Sequence, residues 1–178
     1  MRIISGKYKG RRISAPKRLP VRPTTDMAKE GLFNILNNDY YFNEISVLDL
    51  FAGTGNISYE FASRGAKQIV AVDMDLGCIK FMDKTAKELH FTITLVKSDV
   101  FKYLEKTLVS ADVIFADPPY AMSETDFYKI PELVFEHDLL QENGTLIVEH
   151  SKHMDLSHLK NFSRQRKYGG SVFSFFEG

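Results

Sequence analysis

Residues 45–55 read ISVLDLFAGTG and are the most informative part of the sequence for the fold class. The apolar run from Ile45 to Phe51 has the length of a short buried strand, and Gly53 and Gly55 follow it. Residues 56–64 then show the periodicity of a helix. A strand, a glycine loop and a helix in this order predict a βα unit whose loop allows a ligand to approach the backbone closely.

The same alternation of strands and helices continues on both sides of this unit. The predicted strands are 68–73, 92–96, 113–116 and 145–149. The first predicted helix begins at Asp26, which is expected to cap it, and ends near Asn37. Three more helices are predicted: 75–89, one that carries Phe101, Leu104 and Leu108, and one within 124–137. Residues 162–168 and 171–176, joined by Gly169-Gly170, predict an antiparallel hairpin whose last strand is buried on both faces. The fold class is therefore α/β and Rossmann-like, with a mostly parallel sheet and an antiparallel C-terminal hairpin.

The composition is that of an ordinary globular protein. The 178 residues are 44% hydrophobic and 26% charged, and the single cysteine, Cys78, is expected to be buried and free of a disulfide. No apolar run approaches the roughly 18 residues of a membrane span, so we expect a cytoplasmic protein with no membrane partner. The five histidines show no metal-ligand spacing on a predicted helix, so we expect them at surface or loop positions and predict no metal.

Basic charge is concentrated at the N-terminus. Residues 1–25 contain eight basic side chains and no acid, whereas residues 26–178 contain 15 basic and 23 acidic side chains. Short strands around Gly6 and Gly10 predict a small β extension, and Pro16, Pro20 and Pro23 then predict an extended connector. A segment of one charge sign is typical of a phosphate-binding surface, although a solvated tail has the same composition. We therefore predict a basic extension, 1–25, and one α/β domain, 26–178.

The predicted parallel strands end in polar residues, where ligands bind in open α/β sheets. Asp73 follows the glycines by about 20 residues, the spacing at which a carboxylate binds ribose hydroxyls. Asp49 would repel a pyrophosphate but attract an ammonium or sulfonium group, and Ser58 stands where a nicotinamide site has a third glycine. Each aspartate alone is compatible with a capping role. Together they favour an adenosine ligand with a cationic end.

The most specific motif is Asp117-Pro118-Pro119-Tyr120. The two prolines have restricted φ angles and hold the neighbouring carbonyl groups rigid, Asp117 supplies an acceptor and Tyr120 a flat ring. This set fits an exocyclic amine on a base, whose lone pair the acceptors draw out of conjugation and toward an electrophilic methyl group. A simple turn after a strand is the alternative interpretation.

These motifs resemble those of a known family. Val47 to Gly55, Asp73, Ser98-Asp99 and the 117–120 motif are similar to the class I S-adenosylmethionine-dependent methyltransferases that act on exocyclic amines of bases. Further matches single out the RsmD family, bacterial 16S rRNA guanine-N2 methyltransferases: residues 2–6, 9–11, 22–24, 29–30, 32–36, 144–146 and 168–169. The resemblance covers nearly the whole chain, with departures at Lys29, where the family often has Arg, and at Asn56, where it often has a small residue.

The resemblance implies a seven-stranded sheet and S-adenosylmethionine as the cofactor. Its methionine end would lie near 49–55, its ribose on Asp73 and its adenine near Asp99 and Val100. The implied cofactor-binding residues are Asp49, Phe51, Gly53, Thr54, Gly55, Asn56, Asp73, Met74, Ser98, Asp99 and Val100. The implied catalytic residues are Asp117, Pro118, Pro119 and Tyr120. The implied partner is 16S rRNA, free or within a partly assembled small ribosomal subunit, and the charge pattern adds candidate RNA contacts at Lys7, Lys9, Arg11, Arg12 and Arg22.

Three other functions are compatible with parts of the sequence. An adenine-N6 DNA methyltransferase shares a similar Asp-Pro-Pro-Tyr motif, but about 40 residues before the first strand are too few for a separate target-recognition domain. A non-catalytic RNA-binding protein on the same fold would leave the acceptor motif unexplained. A small-molecule methyltransferase would leave the basic extension unexplained.

Overall fold

The computed structural model describes residues 1–22 and 24–178. Pro23, which the sequence places in the connector, lies outside the described residues. The helices are α1 (Asp26–Asp39), α2 (Asn56–Ser63), α3 (Leu76–Glu88), α4 (Val100–Lys106) and α5 (Glu124–Glu136), with one 3-10 turn at Phe42–Glu44. The strands are β1 (Ser46–Leu50), β2 (Gln68–Asp73), β3 (Thr94–Lys97), β4 (Ala111–Ala116), β5 (Leu140–Ser151), β6 (Phe162–Tyr168) and β7 (Ser171–Glu177).

The seven strands form one sheet in the order β3-β2-β1-β4-β5-β7-β6. Strands β1 to β5 are parallel, and β7 pairs antiparallel with β5 on one side and β6 on the other. The predicted α/β class and the C-terminal hairpin are confirmed. Strand order reverses between β1 and β4, so a crevice opens at their carboxyl ends, where ligands bind in folds of this class.

Helices cover both faces of the sheet, as the apolar patterning requires. Leu48 and Leu50 of β1 face a core shared with α4 and α5, whereas Val47 faces a core shared with α1 and α2. Helix α3 packs on the same side as α2, with Met82 against Ala71 of β2. Strand β7 is buried on both faces from Val172 to Phe176, because it lies between two strands and under helices, and this prediction is also confirmed.

The N-terminal segment packs against α2 with little β structure. It forms one antiparallel bridge between Arg2 and Arg12, where the sequence predicted short strands. Ile3 and Ile13 are buried, and the Glu60 carboxylate of α2 accepts the N–H groups of Ile4 and Ser5 at 2.9 and 3.0 Å. Backbone hydrogen bonds join the two ends of the segment, as from the Ile3 N–H to the Arg11 carbonyl at 2.9 Å, and the Glu60 carboxylate adds side-chain acceptors at Ile4 and Ser5.

Three local predictions are wrong, each for a physical reason. Thr25, not Asp26, caps α1, because its hydroxyl accepts the Ala28 N–H at 3.2 Å. Leu108 lies beyond α4 and is 99% exposed, since the helix ends at Lys106. His150 is buried in β5, where Ser174 Oγ and the Ser151 carbonyl satisfy its ring nitrogens. The prediction that Cys78 is buried is confirmed.

In residues 1–22 and 24–178, which the structure describes, every helix is too short or too polar to span a membrane. Within the same residues, no group of three or more His, Cys, Asp or Glu side chains is placed to hold a metal ion.

Candidate active site

The loop after β1 is built for close approach to its backbone. Gly53 and Gly55 have φ angles of +57° and +89°, a region that residues with side chains rarely adopt. A Cβ atom on Gly55 would lie 2.6 Å from the Tyr59 ring, and Gly55 precedes the first turn of α2. The loop therefore presents the N-terminus of a helix to the crevice between β1 and β4.

Asp73 ties the ends of β1 and β2 together. Its carboxylate accepts the Gly53 N–H and the Asp75 N–H, both at 2.8 Å, while Asp75 itself caps α3 through the Cys78 N–H. Burial raises the pKa of Asp73, and the two backbone hydrogen bonds lower it. Each carboxylate oxygen has a second lone pair, so Asp73 can still accept hydrogen bonds from ligand hydroxyls.

Asp49 is a buried carboxylate without a cation beside it. It is 1% exposed and accepts a hydrogen bond from Ser58 Oγ at 2.5 Å. Within the described residues, no Lys, Arg or His forms an ion pair with it. Burial raises the pKa of Asp49 to about 7, the Ser58 hydrogen bond lowers it, and the charge of Asp73 raises it further. A ligand with a positive group near Asp49 would relieve this cost.

The ends of β2 and β3 supply the next polar group. Asp99 caps α4 by accepting the Lys102 N–H at 3.0 Å, and the Ser98 hydroxyl donates to the Asp99 carbonyl. Val100 is buried, and Met74, directly after β2, has a 68% exposed side chain that is free to contact a ligand. Strands β2 and β3 pair in parallel, so these residues lie along one edge of the crevice.

The acceptor motif follows β4, on the other side of the switch in strand order. Asp117 donates its N–H to the Leu50 carbonyl at 3.4 Å, which holds the motif against the end of β1. The Pro119 carbonyl accepts the Met122 N–H at 2.9 Å and closes a turn. Tyr120 is 43% exposed, and the Arg22 guanidinium carbon lies 5.1 Å from its ring centroid, a cation–π contact.

Three comparisons with known proteins agree with this geometry. The family model described as "Conserved hypothetical protein 95" matches residues 1–177. The putative rRNA methyltransferase YlbH of Bacillus subtilis is 33% identical over 177 residues, which cover 95% of this chain and 94% of that protein. The chain belongs to the RsmD family.

Two proteins of Escherichia coli extend this result. Its ribosomal RNA small subunit methyltransferase D is 30% identical over 150 residues, which cover 84% of this chain and 71% of that protein. The solved structure of its putative methyltransferase yhhF has a TM-score of 0.84 at 27% identity, and the match covers 99% of this chain and 97% of that one. This RsmD-family chain is thus a methyltransferase, and the family match includes the basic N-terminal segment.

In this RsmD-family protein the connector between the basic N-terminal segment and α1 crosses the site. The sequence alone did not predict this path. A Cβ atom on Gly77 would meet Leu19 at 2.8 Å, and one on Gly53 would meet Val21 at 3.1 Å. Thr24 Oγ1 donates to the buried Glu149 carboxylate at 2.8 Å. The connector therefore lies over the start of α3, the glycine loop and the end of β5 in turn.

A buried ionic cluster anchors the connector, and no pattern in the sequence indicates it. Lys29 is 1% exposed, and its ammonium group lies 3.4 Å from Glu60 and donates to Asn56 Oδ1 at 2.8 Å. Asn56 Nδ2 in turn donates to the Thr24 carbonyl at 3.2 Å. Because the side chain of Asn56 is engaged in this way, its backbone N–H is the group that remains for a ligand. Burial lowers the pKa of Lys29, and the charge of Glu60 raises it.

The candidate RNA contacts fall into two groups in this RsmD-family structure. Lys7, Lys9, Arg11 and Arg12 are all exposed on the N-terminal segment. Arg22 lies on the connector beside the acceptor motif, so the structure places it with Tyr120 rather than with the other four.

Proposed function

We propose that this protein transfers a methyl group from S-adenosylmethionine to the exocyclic N2 amine of a guanine in 16S rRNA. Its family supports methyl transfer to rRNA, since the relatives are named as rRNA methyltransferases. The observation that carries the choice of an amine is the position of Asp117 to Tyr120 at the end of β4, next to the glycine loop at the end of β1.

The glycine loop and the aspartates fit S-adenosylmethionine. Asp73 would accept the ribose hydroxyls, Asp49 would face the positively charged methionine end, and Asp99 with Val100 would border the adenine. Thr54 and Asn56 would offer backbone N–H groups, with Phe51, Met74 and Ser98 around them. Gly53 and Gly55 would allow close approach, since their own N–H groups already donate to Asp73 and to the Ala52 carbonyl. Support comes from Asp49, a buried carboxylate whose described surroundings contain no cation. The bound cofactor supplies an electrophilic methyl group on a sulfonium.

The acceptor motif fits the hydrogen-bonding pattern of an amine. Asp117 and the Pro118 carbonyl would accept the two N2 hydrogens, which keeps the nitrogen lone pair directed toward the methyl group. The Pro119 carbonyl already closes its turn, so Pro118 is the proline whose carbonyl we assign to the substrate. Tyr120 would stack on the base, and Arg22 holds its ring from one side.

The basic extension, 1–25, would bind the RNA backbone in the cytoplasm, where we place the enzyme. Support comes from the exposure of Lys7, Lys9, Arg11 and Arg12 on a segment that is fastened to α2 through Glu60. A fastened segment carries its charges at fixed positions, as recognition of a folded RNA requires.

Incorporation of labelled methyl tests this function. The purified protein and labelled S-adenosylmethionine would be incubated with 16S rRNA and small subunits from cells that lack the enzyme, and with duplex DNA. We expect incorporation into one or both RNA substrates and none into DNA. Incorporation into DNA alone would instead support the adenine-N6 alternative, and the two RNA arms decide between free rRNA and the assembled subunit.

A further inference from the structure

Glu149 is a buried carboxylate that the proposed cofactor and acceptor contacts leave without a role. It lies near the carboxyl end of β5 and is 3% exposed. In the parallel register of β4 and β5, Ala116 pairs with Val148. The next residue on each strand is therefore Asp117 on one and Glu149 on the other, which places the two carboxylates side by side at the carboxyl edge.

The connector fixes Glu149 in this position. Thr24 Oγ1 donates to Glu149 Oε2 at 2.8 Å in a buried contact, and the Thr24 carbonyl is held by Asn56 at 3.2 Å. Arg22 lies two residues earlier and contacts the Tyr120 ring. Asp117, Glu149 and Arg22 therefore all lie near the position where the amine would bind. Among the described residues, no salt bridge joins them.

We propose that Glu149 is a positioning residue of the acceptor site, whose negative charge makes Asp117 a stronger base for the proton that leaves the amine. This inference depends on the proposed function. In that reaction the N2 lone pair forms the C–N bond, the electrons of the C–S bond return to sulfur, and one N2 proton passes to Asp117. A more basic Asp117 favours that transfer.

The surroundings of the pair agree with this assignment. Burial raises the pKa of Asp117 well above its usual range, the charges of Glu149 and Asp49 raise it further, and Arg22 lowers it. Burial also raises the pKa of Glu149, whereas the hydrogen bond from Thr24, the nearby Ser171 side chain and the charge of Arg22 lower it.

These groups come from every element around the pair. Asp49 belongs to β1, Ser171 to β7, and Arg22 and Thr24 to the connector. The register partner of Glu149 on β7 is the apolar Phe173. Because two close carboxylates resist double ionisation, we expect them to titrate as a coupled pair.

The substitution Glu149→Gln tests the proposal. Glutamine keeps the size of the side chain and an oxygen acceptor for Thr24 but removes the charge. We expect the acid limb of the single-turnover rate against pH to move to lower pH by about one unit or more, which is about tenfold in rate on that limb. Affinity for S-adenosylmethionine should not change. The matched control is Glu142→Gln, an exposed carboxylate at the other end of β5, which should leave the pH profile unchanged.

An acid limb of Glu149→Gln that coincides with that of the wild type overturns the proposal. A second measurement needs no variant and no RNA: carboxyl carbon NMR of the wild-type protein during a pH titration. Two-step titration of Asp117 and Glu149 supports the pair, and two independent single steps near pH 4 overturn it. Absence of methyl transfer by the wild type would refute the proposed function and with it the role in that reaction, whereas the NMR titration tests the carboxylate pair separately, so the two failures are distinguishable.

Discussion

The substitution Asp49→Asn should have opposite effects on two properties: it should raise the stability of this protein and weaken its binding of the cofactor. Asp49 is buried, and burial raises its pKa from 3.8 to about 7. The folded state therefore binds more protons than the unfolded state between these two values, so the free energy of unfolding falls as the pH rises through this window. Each pKa unit corresponds to about 1.36 kcal/mol, which gives an upper limit of about 4 kcal/mol for the ionised carboxylate at pH 8.

Asparagine removes this charge and keeps an oxygen that can accept from Ser58. We expect Asp49→Asn to raise the free energy of unfolding by about 2 to 4 kcal/mol at pH 8 and by little at pH 4, since the wild-type carboxyl is then largely protonated in the folded state. Urea denaturation of both proteins at several pH values measures the difference. The exposed Asp83→Asn is the control, for which we expect no gain in stability at pH 8, since Asp83 is solvated and lies beside Lys87.

The same substitution should weaken S-adenosylmethionine binding by about 10- to 150-fold, because a charge-assisted contact contributes roughly 1.5 to 3 kcal/mol. Calorimetric titration in buffers of different ionisation heats should also show proton release when wild-type protein binds the cofactor near pH 6. If Asp49→Asn were no more stable than the wild type at pH 8, the conclusion that Asp49 is an unpaired buried charge would be wrong. A variant with unchanged cofactor affinity would refute its role in binding.

Four further variants test other parts of the protein. Asp73→Ala should weaken S-adenosylmethionine binding by about 10- to 150-fold in calorimetry, whereas Asp75→Ala, which removes only the cap of α3, should lower stability without a comparable loss of affinity. Asp117→Ala should bind the cofactor normally but lose about 100- to 1000-fold in single-turnover rate at saturating RNA, and a wild-type rate would leave the motif a structural role. Glu60→Gln should lower the free energy of unfolding by about 3 to 5 kcal/mol in urea, because Lys29 would stay buried without its carboxylate, and a loss below about 1 kcal/mol would contradict the ionic cluster. Replacing Lys7, Lys9, Arg11 and Arg12 by Gln should reduce the slope of log K against log salt for rRNA by roughly 3 in total, with cofactor affinity unchanged, and an unchanged slope would place the RNA site elsewhere.

The elements around the cofactor crevice were predictable because local signals agree there. Strand β2 has the predicted bounds, 68–73, since a run of β-branched residues is bounded by turn signals on both sides. The C-terminal hairpin was equally clear from Gly169-Gly170 between two strand-like runs. Ends of elements were less predictable, as Leu108 shows, because the helical period continued beyond the last hydrogen-bonded turn.

Contacts between distant segments were not predictable from local pattern. Thr24 and Glu149 are 125 residues apart, and no periodicity indicates that the connector would reach β5. The only sequence signal for Glu149 is a charged residue at the end of an apolar strand, the same signal that identified Asp73. Lys29 carried no signal of burial, since its partner Glu60 and its acceptor Asn56 lie on another helix.

Nucleoside analysis of the methylated RNA identifies the atom that receives the methyl group. 16S rRNA from cells that lack the enzyme would be incubated with S-adenosylmethionine and either the wild-type protein or Asp117→Ala, digested to nucleosides and analysed by mass spectrometry against methylguanosine and methyladenosine standards. We expect N2-methylguanosine as the product of the wild type and almost none with the variant. N6-methyladenosine, or a guanosine methylated at a ring nitrogen, would contradict the assignment of the site to the exocyclic amine of guanine.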